Sequence, residues 1–212
     1  MYEITPNILE KEWTEIEKKI ELVRPFAKTI QIDIADGIMV PNTTFLDPQP
    51  FKKYTKDIFF EVHMMVDNPL KYLQPWADAG FKRFIGQVEK MPNQEEFVAQ
   101  GQLLGEVGLA LDGPTSIDAI KVPYEDLDII LIYTSGKAGF SGPPFLSERL
   151  DKIREIRAKN STISIAVDGG INDQTIVMAK DAGANHFGTT SFLFSNNPLE
   201  QYKKLKQAIN LQ

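Results

Sequence analysis

The most constraining feature of this sequence is a regular alternation of short apolar runs with longer amphipathic segments. Strand-like runs occupy eight stretches, at residues 2–9, 29–35, 58–66, 83–88, 106–111, 127–134, 162–168 and 185–188. Helical spacing of apolar residues marks the stretches between them, at residues 10–26, 51–56, 68–79, 93–104, 116–121, 146–159, 172–182 and 198–209. Strict alternation of this kind implies parallel strands joined by crossover helices.

The number of repeats favours one closed barrel over an open sheet. A (β/α)8 TIM barrel commonly needs about 200 to 250 residues, and this chain has 212. No Gly-x-Gly-x-x-Gly motif follows the first strand-like run, which counts against a dinucleotide-binding sheet. Because no linker, repeat or low-complexity segment divides the sequence, we predict a single barrel domain over residues 1–212.

Two strand-like runs, far apart in the chain, carry an aspartate near their C-terminal ends. Asp33 lies between isoleucines shortly before an Asp-Gly turn, and Asp168 ends an apolar run before two glycines. A buried carboxylate without partners is costly, so each one requires a polar pocket. Catalytic groups of parallel barrels lie at the C-terminal ends of the strands. Two carboxylates at that end are suited to proton transfer by a pair of acid–base groups.

Other polar side chains fall at predicted strand ends and would converge on the same rim. They are Asn7, Gln31, His63, Gln87 and Asp112. Each also has an ordinary structural interpretation, since an Asp before Gly is most often a turn residue. A lone His in an apolar strand is more often hydrogen-bonded within the core, and the two Gln residues fit a hydrogen-bond network. Their shared position favours a site, and both interpretations remain open at this point.

Glycine-rich stretches follow the last three predicted strands. They contain Gly139 and Gly142, then Gly169 and Gly170, then Gly188 and Thr189. In barrels the last two loops often bind a phosphate group through backbone amides, with a short extra helix nearby. Residues 190–194 could form that helix. The sequence therefore predicts a phosphate site on the same rim as the carboxylates.

Charge and composition limit the partners. The net charge of −6 argues against a nucleic-acid surface, although backbone amides can still bind a small anion. The absence of cysteine excludes disulfides and thiol chemistry and is consistent with a reducing compartment. We expect neither a signal peptide nor a membrane span. The expected protein is a cytoplasmic homo-oligomer that binds a small molecule, with no nucleic-acid or membrane partner.

A set of motifs carries a resemblance to a known family. In chain order they are Thr5-Pro6-Asn7-Ile8-Leu9, Ile32-Asp33-Ile34-Ala35-Asp36-Gly37, Val40-Pro41-Asn42, Glu61-Val62-His63-Met64-Met65-Val66, Gly139-Phe140-Ser141-Gly142, Val167-Asp168-Gly169-Gly170 and Gly188-Thr189-Thr190-Ser191. In order and spacing, over nearly the whole chain, this set resembles the ribulose-phosphate 3-epimerases. The resemblance implies a (β/α)8 barrel that acts on a ketopentose 5-phosphate.

The resemblance also implies roles for individual residues. Asp33 and Asp168 would exchange the proton at C3 from opposite faces of the substrate, through an enediolate. A divalent metal ion (Zn, Mn, Fe or Mg) held by Asp33, His63, Asp168 and the residue at position 31 would offset charge on the enediolate oxygens. Substrate-binding roles fall on Asn7, His63, Gly139, Gly142, Gly169, Gly170, Gly188 and Thr189.

The chain departs from the family mainly at the metal site. Gln31 stands where the family has its first metal-binding His, and Gln87 stands where it has the usual His of strand four. Asn7 replaces a Ser, Ala35 replaces a Met, and residues 135–138 replace an Asn-Pro form with one extra residue. A Gln carbonyl is a weaker zinc ligand than imidazole and suits harder ions. We therefore expect weak metal occupancy, with a preference for manganese or magnesium.

Three functions remain open at this stage. The first is a sugar-phosphate 3-epimerase, and the second is a sugar-phosphate lyase of the same barrel superfamily. The Asp-x-Lys-x-x-Asp pattern of the related decarboxylases is absent, which disfavours the lyase. The third is a sugar-phosphate binder that has lost its metal and its activity, an interpretation that Gln31 and Gln87 favour.

Overall fold

The strands close into a barrel, as predicted. The computed structural model describes residues 2–136 and 138–211, and within them eight parallel strands pair in chain order, with the last pairing back to the first. The strands are β1 Glu3–Ile8, β2 Thr29–Ala35, β3 Phe59–Met65, β4 Arg83–Gln87, β5 Glu106–Leu111, β6 Ile129–Tyr133, β7 Ser164–Asp168 and β8 His186–Thr189. Each predicted strand overlaps one of these, and the predicted TIM barrel is confirmed.

Helices surround the barrel. The α-helices are α1 Trp13–Val23, α2 Leu73–Asp78, α3 Gln94–Leu104, α4 Leu150–Lys159, α5 Thr175–Ala182, α6 Ser191–Phe194 and α7 Pro198–Ala208. The amphipathic spacing explains how α1 packs, because its buried residues are Ile16, Ile20 and Val23. Within the described ranges, no helix combines the length and the apolar character that crossing a bilayer would require.

Several of the predicted helices are shorter than expected, or of the 3-10 type. The segment predicted at 51–56 is a 3-10 turn, Gln49–Lys53, with Pro50 at its start, and the segment at 116–121 is reduced to the 3-10 turn Ile117–Ala119. A continuous helix over 68–79 is wrong, because a 3-10 turn at Pro69–Tyr72 precedes α2. Pro75 explains this break, since a proline is tolerated only in the first turn of an α-helix, where its missing N–H needs no partner.

The period of two sorts the side chains of each strand onto two faces. On β2, Ile30, Ile32 and Ile34 face the helices and belong to the main core, so Gln31 and Asp33 point into the barrel. A smaller apolar cluster fills the barrel interior on the side of β4 to β7, formed by Ile85, Ala110, Ile129, Leu131 and Ala166. Polar side chains therefore occupy the interior on the side of β1 to β3 and at the C-terminal mouth.

Charged side chains lie inside the opposite, N-terminal end of the barrel. Glu61 is fully buried, forms an ion pair with Arg83, and lies 3.2 Å from His186 Nε2 through its Oε1. His186 Nδ1 lies 3.3 Å from Glu3 Oε2. Burial disfavours the imidazolium, but the neighbouring Glu61 and Glu3 carboxylates outweigh it and raise the pKa of His186 to about 9. His186 is therefore a buried cation of the scaffold at neutral pH.

Candidate active site

Three titratable side chains meet at the C-terminal mouth of the barrel. Asp33 and His63 are register partners on β2 and β3, and Asp168 ends β7. His63 Nδ1 lies 3.1 Å from Asp33 Oδ1 and 3.9 Å from Asp168 Oδ2. One ligand atom from each residue lies within 4.8 Å of the other two. The structure thus brings the two strand-end carboxylates and the strand-end histidine to one point.

Gln31 spans the two carboxylates. It is almost completely buried and lies two residues before Asp33, so both side chains share the inward face of β2. Its Nε2 donates to Asp33 Oδ1 at 2.7 Å and to Asp168 Oδ2 at 3.4 Å. The amide therefore holds the carboxylates at a fixed spacing, and its oxygen can face them only if the amide rotates.

The other side of the His63 ring is held by Gln87. With its amide oxygen assigned towards the ring, Gln87 accepts a hydrogen bond from His63 Nε2 at 3.2 Å. Its nitrogen then donates to Glu89 Oε2 at 2.7 Å and to the Ala110 carbonyl at 3.0 Å. With Nε2 bonded to Gln87, Nδ1 is the ring nitrogen that faces Asp33. When protonated it donates to that carboxylate, and when deprotonated it can bind a metal. Gln87 thus sets both the orientation and the tautomer of the ring.

Burial and charge set the protonation of this group. Burial, followed by the charge of Asp33, raises the pKa of Asp168 to about 7, and the charge of His63 opposes this only in part. Burial alone would lower the pKa of His63, but its hydrogen bond to Asp33 and the charges of both carboxylates raise it. A carboxyl group that titrates near neutral pH can act as a general acid or as a general base.

The donor set of this group fits a divalent metal ion. Two carboxylates and one imidazole nitrogen form a buried cluster, and the carboxylates supply the negative charge that a cation would offset. Asn7, the register partner of Gln31, is fully buried, and its side chain lies beside Asp168, where it opposes the rise in the pKa of that carboxyl. Asn7 therefore belongs to the polar group around the two carboxylates.

Glycine backbone forms much of the pocket above the carboxylates. The lining includes Gly139, Gly142, Gly169, Gly170 and Gly188. Gly170 has a φ of +72°, and a Cβ there would lie 2.5 Å from the backbone nitrogen of Phe145. A Cβ on Gly188 would lie 2.4 Å from Asn7 Nδ2. Only glycine permits these close approaches. Helix α6 begins beside the pocket at Ser191 and ends at Phe194, which agrees with the short helix predicted at residues 190–194.

Two candidate residues direct their side chains away from this pocket. The Thr189 hydroxyl donates to the Ile171 carbonyl at 3.3 Å, which leaves only its backbone for a ligand. Asp112 follows β5, and its carboxylate accepts a hydrogen bond from the Gly113 N–H at 2.7 Å, as an Asp in a turn commonly does. The geometry of Asp112 therefore supports the ordinary turn interpretation.

Sequence reasoning missed two contacts at the mouth. Tyr133, the last residue of β6, lies in the pocket wall, and its hydroxyl donates to the Phe140 carbonyl at 3.1 Å. Asn42, in the long loop after β2, donates from Nδ2 to the Gly139 carbonyl at 2.7 Å. The apolar run of β6 gives Tyr133 no distinguishing pattern. The Asn42 contact joins residues 97 positions apart and so leaves no local signal.

Comparison with known proteins points to one family. Residues 3–194 match the family described as the Ribulose-phosphate 3 epimerase family. The sequence is 31% identical over 214 residues to the ribulose-phosphate 3-epimerase of Schizosaccharomyces pombe, covering 97% of this chain and 93% of that protein. It is 31% identical over 215 residues to a cytoplasmic isoform from Oryza sativa, covering 97% and 93%. The Bacillus subtilis protein of the same name is 30% identical over 197 residues, covering 87% and 88%.

Solved structures that resemble this barrel include enzymes with other names. A ligand-bound structure of KGPDC from Streptococcus mutans superimposes with a TM-score of 0.77 at 11% identity, covering 99% of this chain and 98% of that one. The 3-hexulose-6-phosphate synthase of Salmonella typhimurium gives a TM-score of 0.74 at 14% identity, with 99% of each chain covered. At such low identity these similarities establish the fold alone.

Proposed function

The chain belongs to the ribulose-phosphate 3 epimerase family, and from this premise we propose that it inverts C3 of a ketose phosphate, interconverting ribulose 5-phosphate and xylulose 5-phosphate or a related pair. By the same assignment it is an isomerase of carbohydrate metabolism, and the lyase alternative loses support. The observation that carries the proposal is the pair of buried carboxylates, Asp33 and Asp168, bridged by Gln31 at the barrel mouth.

The two carboxylates would move one proton off C3 and another onto it. C3 lies beside the C2 carbonyl, so one carboxylate removes the C3 proton while the electron pair moves towards the carbonyl oxygen. The other carboxyl then delivers a proton to the opposite face of C3. Asp33 and Asp168 exchange these roles between the two directions. The raised pKa of Asp168 supports this assignment, because a group that titrates at about 7 is available in both protonation states.

The glycine loops would bind the phosphate at the other end of the substrate. We assign the anion site to the backbone amides of Gly169, Gly170 and Gly188, which line the pocket, and of Thr189, the next residue in the chain. The loop that contains Gly139 and Gly142 lines the same pocket. A phosphate fixed there limits the positions that C3 can adopt over the carboxylates, which favours reaction by orientation. Asn7, which lies against Gly188 and beside Asp168, would bind a substrate oxygen.

A divalent metal ion would be held by Asp33, His63 and Asp168, with the Gln31 oxygen as a fourth ligand after rotation of its amide. When bound, such an ion offsets the negative charge that develops on the substrate oxygens. A neutral amide oxygen in place of an imidazole lowers affinity for zinc and shifts preference towards manganese or magnesium. Gln87 contributes by keeping His63 Nδ1 turned towards the carboxylates.

Replacement of each carboxylate tests the proposal. Asp33→Asn and Asp168→Asn should each lower the rate of epimerisation at least a hundredfold, because general acid–base groups contribute about 10² to 10⁴. Asp112→Asn is the matched control, since it too is a strand-end aspartate before glycine but its carboxylate lies in a turn. Near-normal epimerisation by either active-site variant would contradict the mechanism, as would equal losses in all three proteins.

Three further attributes are part of the proposal. The continuous closed barrel supports a single domain over residues 1–212. The rice relative, named as a cytoplasmic isoform, supports a cytoplasmic location. We also propose a homo-oligomer, which sedimentation analysis of the purified chain would test.

A further inference from the structure

We propose that Tyr133 and Asn42 are positioning residues that hold the loop of residues 139–142 in the orientation that binds the substrate phosphate. The inference rests on the proposed function, since it concerns the same anion site. Tyr133 donates its hydroxyl hydrogen to the Phe140 carbonyl at 3.1 Å, and Asn42 donates from Nδ2 to the Gly139 carbonyl at 2.7 Å. Two consecutive carbonyls of one loop are thus held by side chains from two other parts of the barrel mouth.

A hydrogen bond that holds a backbone carbonyl in place also orients the N–H group of the following residue. The peptide unit is planar, so the Gly139 carbonyl and the Phe140 N–H are fixed relative to each other, as are the Phe140 carbonyl and the Ser141 N–H. The hydrogen bonds from Asn42 and Tyr133 therefore set the directions of two successive N–H groups. Both Phe140 and Ser141 line the pocket above the carboxylates. Backbone N–H groups held in place in this way are donors suited to a phosphate.

Packing closes the same loop on its Asn42 side. A Cβ at Gly139 would lie 2.6 Å from Val40 Cγ2, so the loop backbone rests directly on Val40. Gly139 also has a φ of +81°, which disfavours any side chain there. At Gly142, by contrast, nothing lies within 4 Å of the place a Cβ would take. The first half of the loop is thus fitted to the segment that carries Asn42, and its second half is open.

Tyr133 ties the loop to the strand next to the carboxylate. It is buried at the end of β6 and is the register partner of Asp168 on β7. The hydroxyl therefore fixes the loop relative to the strand pair that carries Asp168. A substrate held at its phosphate by this loop would have its C3 placed over the carboxylates.

Binding of inorganic phosphate tests this inference without turnover. We expect Tyr133→Phe and Asn42→Ala each to weaken phosphate binding by about threefold to tenfold in calorimetric titration, the effect of one hydrogen bond. In steady-state kinetics the same variants should raise KM by a similar factor and leave kcat within about twofold. Tyr202→Phe is the matched control. Tyr202 lies on the outer helix α7, and its hydroxyl also donates to a backbone carbonyl, that of Ile4, at 3.5 Å.

Two results would overturn the inference. One is phosphate affinity in Tyr133→Phe and Asn42→Ala equal to that of Tyr202→Phe, with all three proteins folded by circular dichroism. The other is a loss confined to kcat, which would place Tyr133 in the chemical step. Failure of the proposed function would give a different result. The unmodified protein would then be inactive as an epimerase. If it still bound phosphate, and if both variants bound phosphate more weakly, the inference about the loop would hold. Should Tyr133→Phe fold poorly, Asn42→Ala alone decides the outcome.

Discussion

Stability should depend on pH through one buried histidine at the N-terminal end of the barrel. His186 lies between Glu61, which is fully buried, and Glu3, and its pKa is raised from 6.5 to about 9. A group whose pKa is higher in the folded state stabilises that state fully below the unfolded pKa. This stabilisation is lost as pH rises through the folded pKa. For His186 the contribution is thus complete below pH 6.5 and fades as pH approaches about 9.

The magnitude follows from the two pKa values. A pKa raised from 6.5 to about 9 corresponds to about 3 kcal/mol, at about 1.4 kcal/mol for each pH unit. His186→Gln keeps a side chain that can form hydrogen bonds but removes the titration. The difference in free energy of unfolding between the unmodified protein and His186→Gln should therefore shrink by about 3 kcal/mol between pH 6 and pH 10. Titrating groups away from this cluster are common to both proteins and largely cancel in this difference. Glu61 and Glu3 do not cancel fully, because His186 lowers the pKa of both carboxyls and its removal raises them.

Urea denaturation at a series of pH values measures this difference directly. Glu61→Gln is a useful second variant, because it retains His186 but removes the carboxylate that contributes most to raising its pKa. Its pH dependence should lie between those of the other two proteins. Parallel stability curves for the unmodified protein and His186→Gln across pH 6 to 10 would refute the reasoning. They would mean that the imidazole has the same pKa in the folded and unfolded states, so that the two glutamates do not stabilise its charged form.

Two further predictions concern the site. Gln31→His should raise zinc affinity at least tenfold in isothermal titration, because an imidazole replaces a neutral amide next to three retained ligands. Tight, stoichiometric zinc in the unmodified chain on elemental analysis would contradict this expectation. Gly170→Ala should cost more stability in urea than Gly142→Ala, since its Cβ would lie 2.5 Å from the Phe145 backbone nitrogen, while nothing lies within 4 Å at Gly142. Both glycines have positive φ, so equal losses would show that backbone conformation alone decides.

The sequence predicts the parts of the fold that depend on local periodicity. Alternation of apolar and polar residues in β2 assigns Gln31 and Asp33 to the inward face, and the structure places them there. The same rule applied from His63 backwards would have assigned Glu61 to the barrel interior, where it pairs with His186. The prediction of one helix over 68–79 is wrong for a local reason too. Pro75 is compatible with an α-helix only in its first turn, so the α-helix begins at Leu73 instead of at residue 68.

The parts that sequence reasoning could not reach depend on contacts between distant loops. Asp112 and Asp168 have the same local pattern, an apolar strand followed by Asp-Gly. Only Asp168 is the last residue of its strand. Asp112 lies one residue beyond β5 and turns to the Gly113 N–H. The tautomer of His63 depends on Gln87, a residue on another strand. No periodicity reports such pairings, which arise only when the barrel closes.

In the proposed mechanism, Asp33 and Asp168 act on opposite faces of the same carbon atom, C3. Exchange of the C3 proton with deuterium, followed by proton NMR in D2O with added Mn²⁺, tests it directly. Asp168→Asn retains Asp33, so it should exchange C3–H of one epimer without inversion. Asp33→Asn should exchange the other epimer, again without inversion. The unmodified protein should incorporate deuterium at C3 of both epimers as it interconverts them. If both variants exchanged the same epimer, or if the unmodified protein bound sugar phosphate without any exchange at C3, the two-carboxylate mechanism would be wrong.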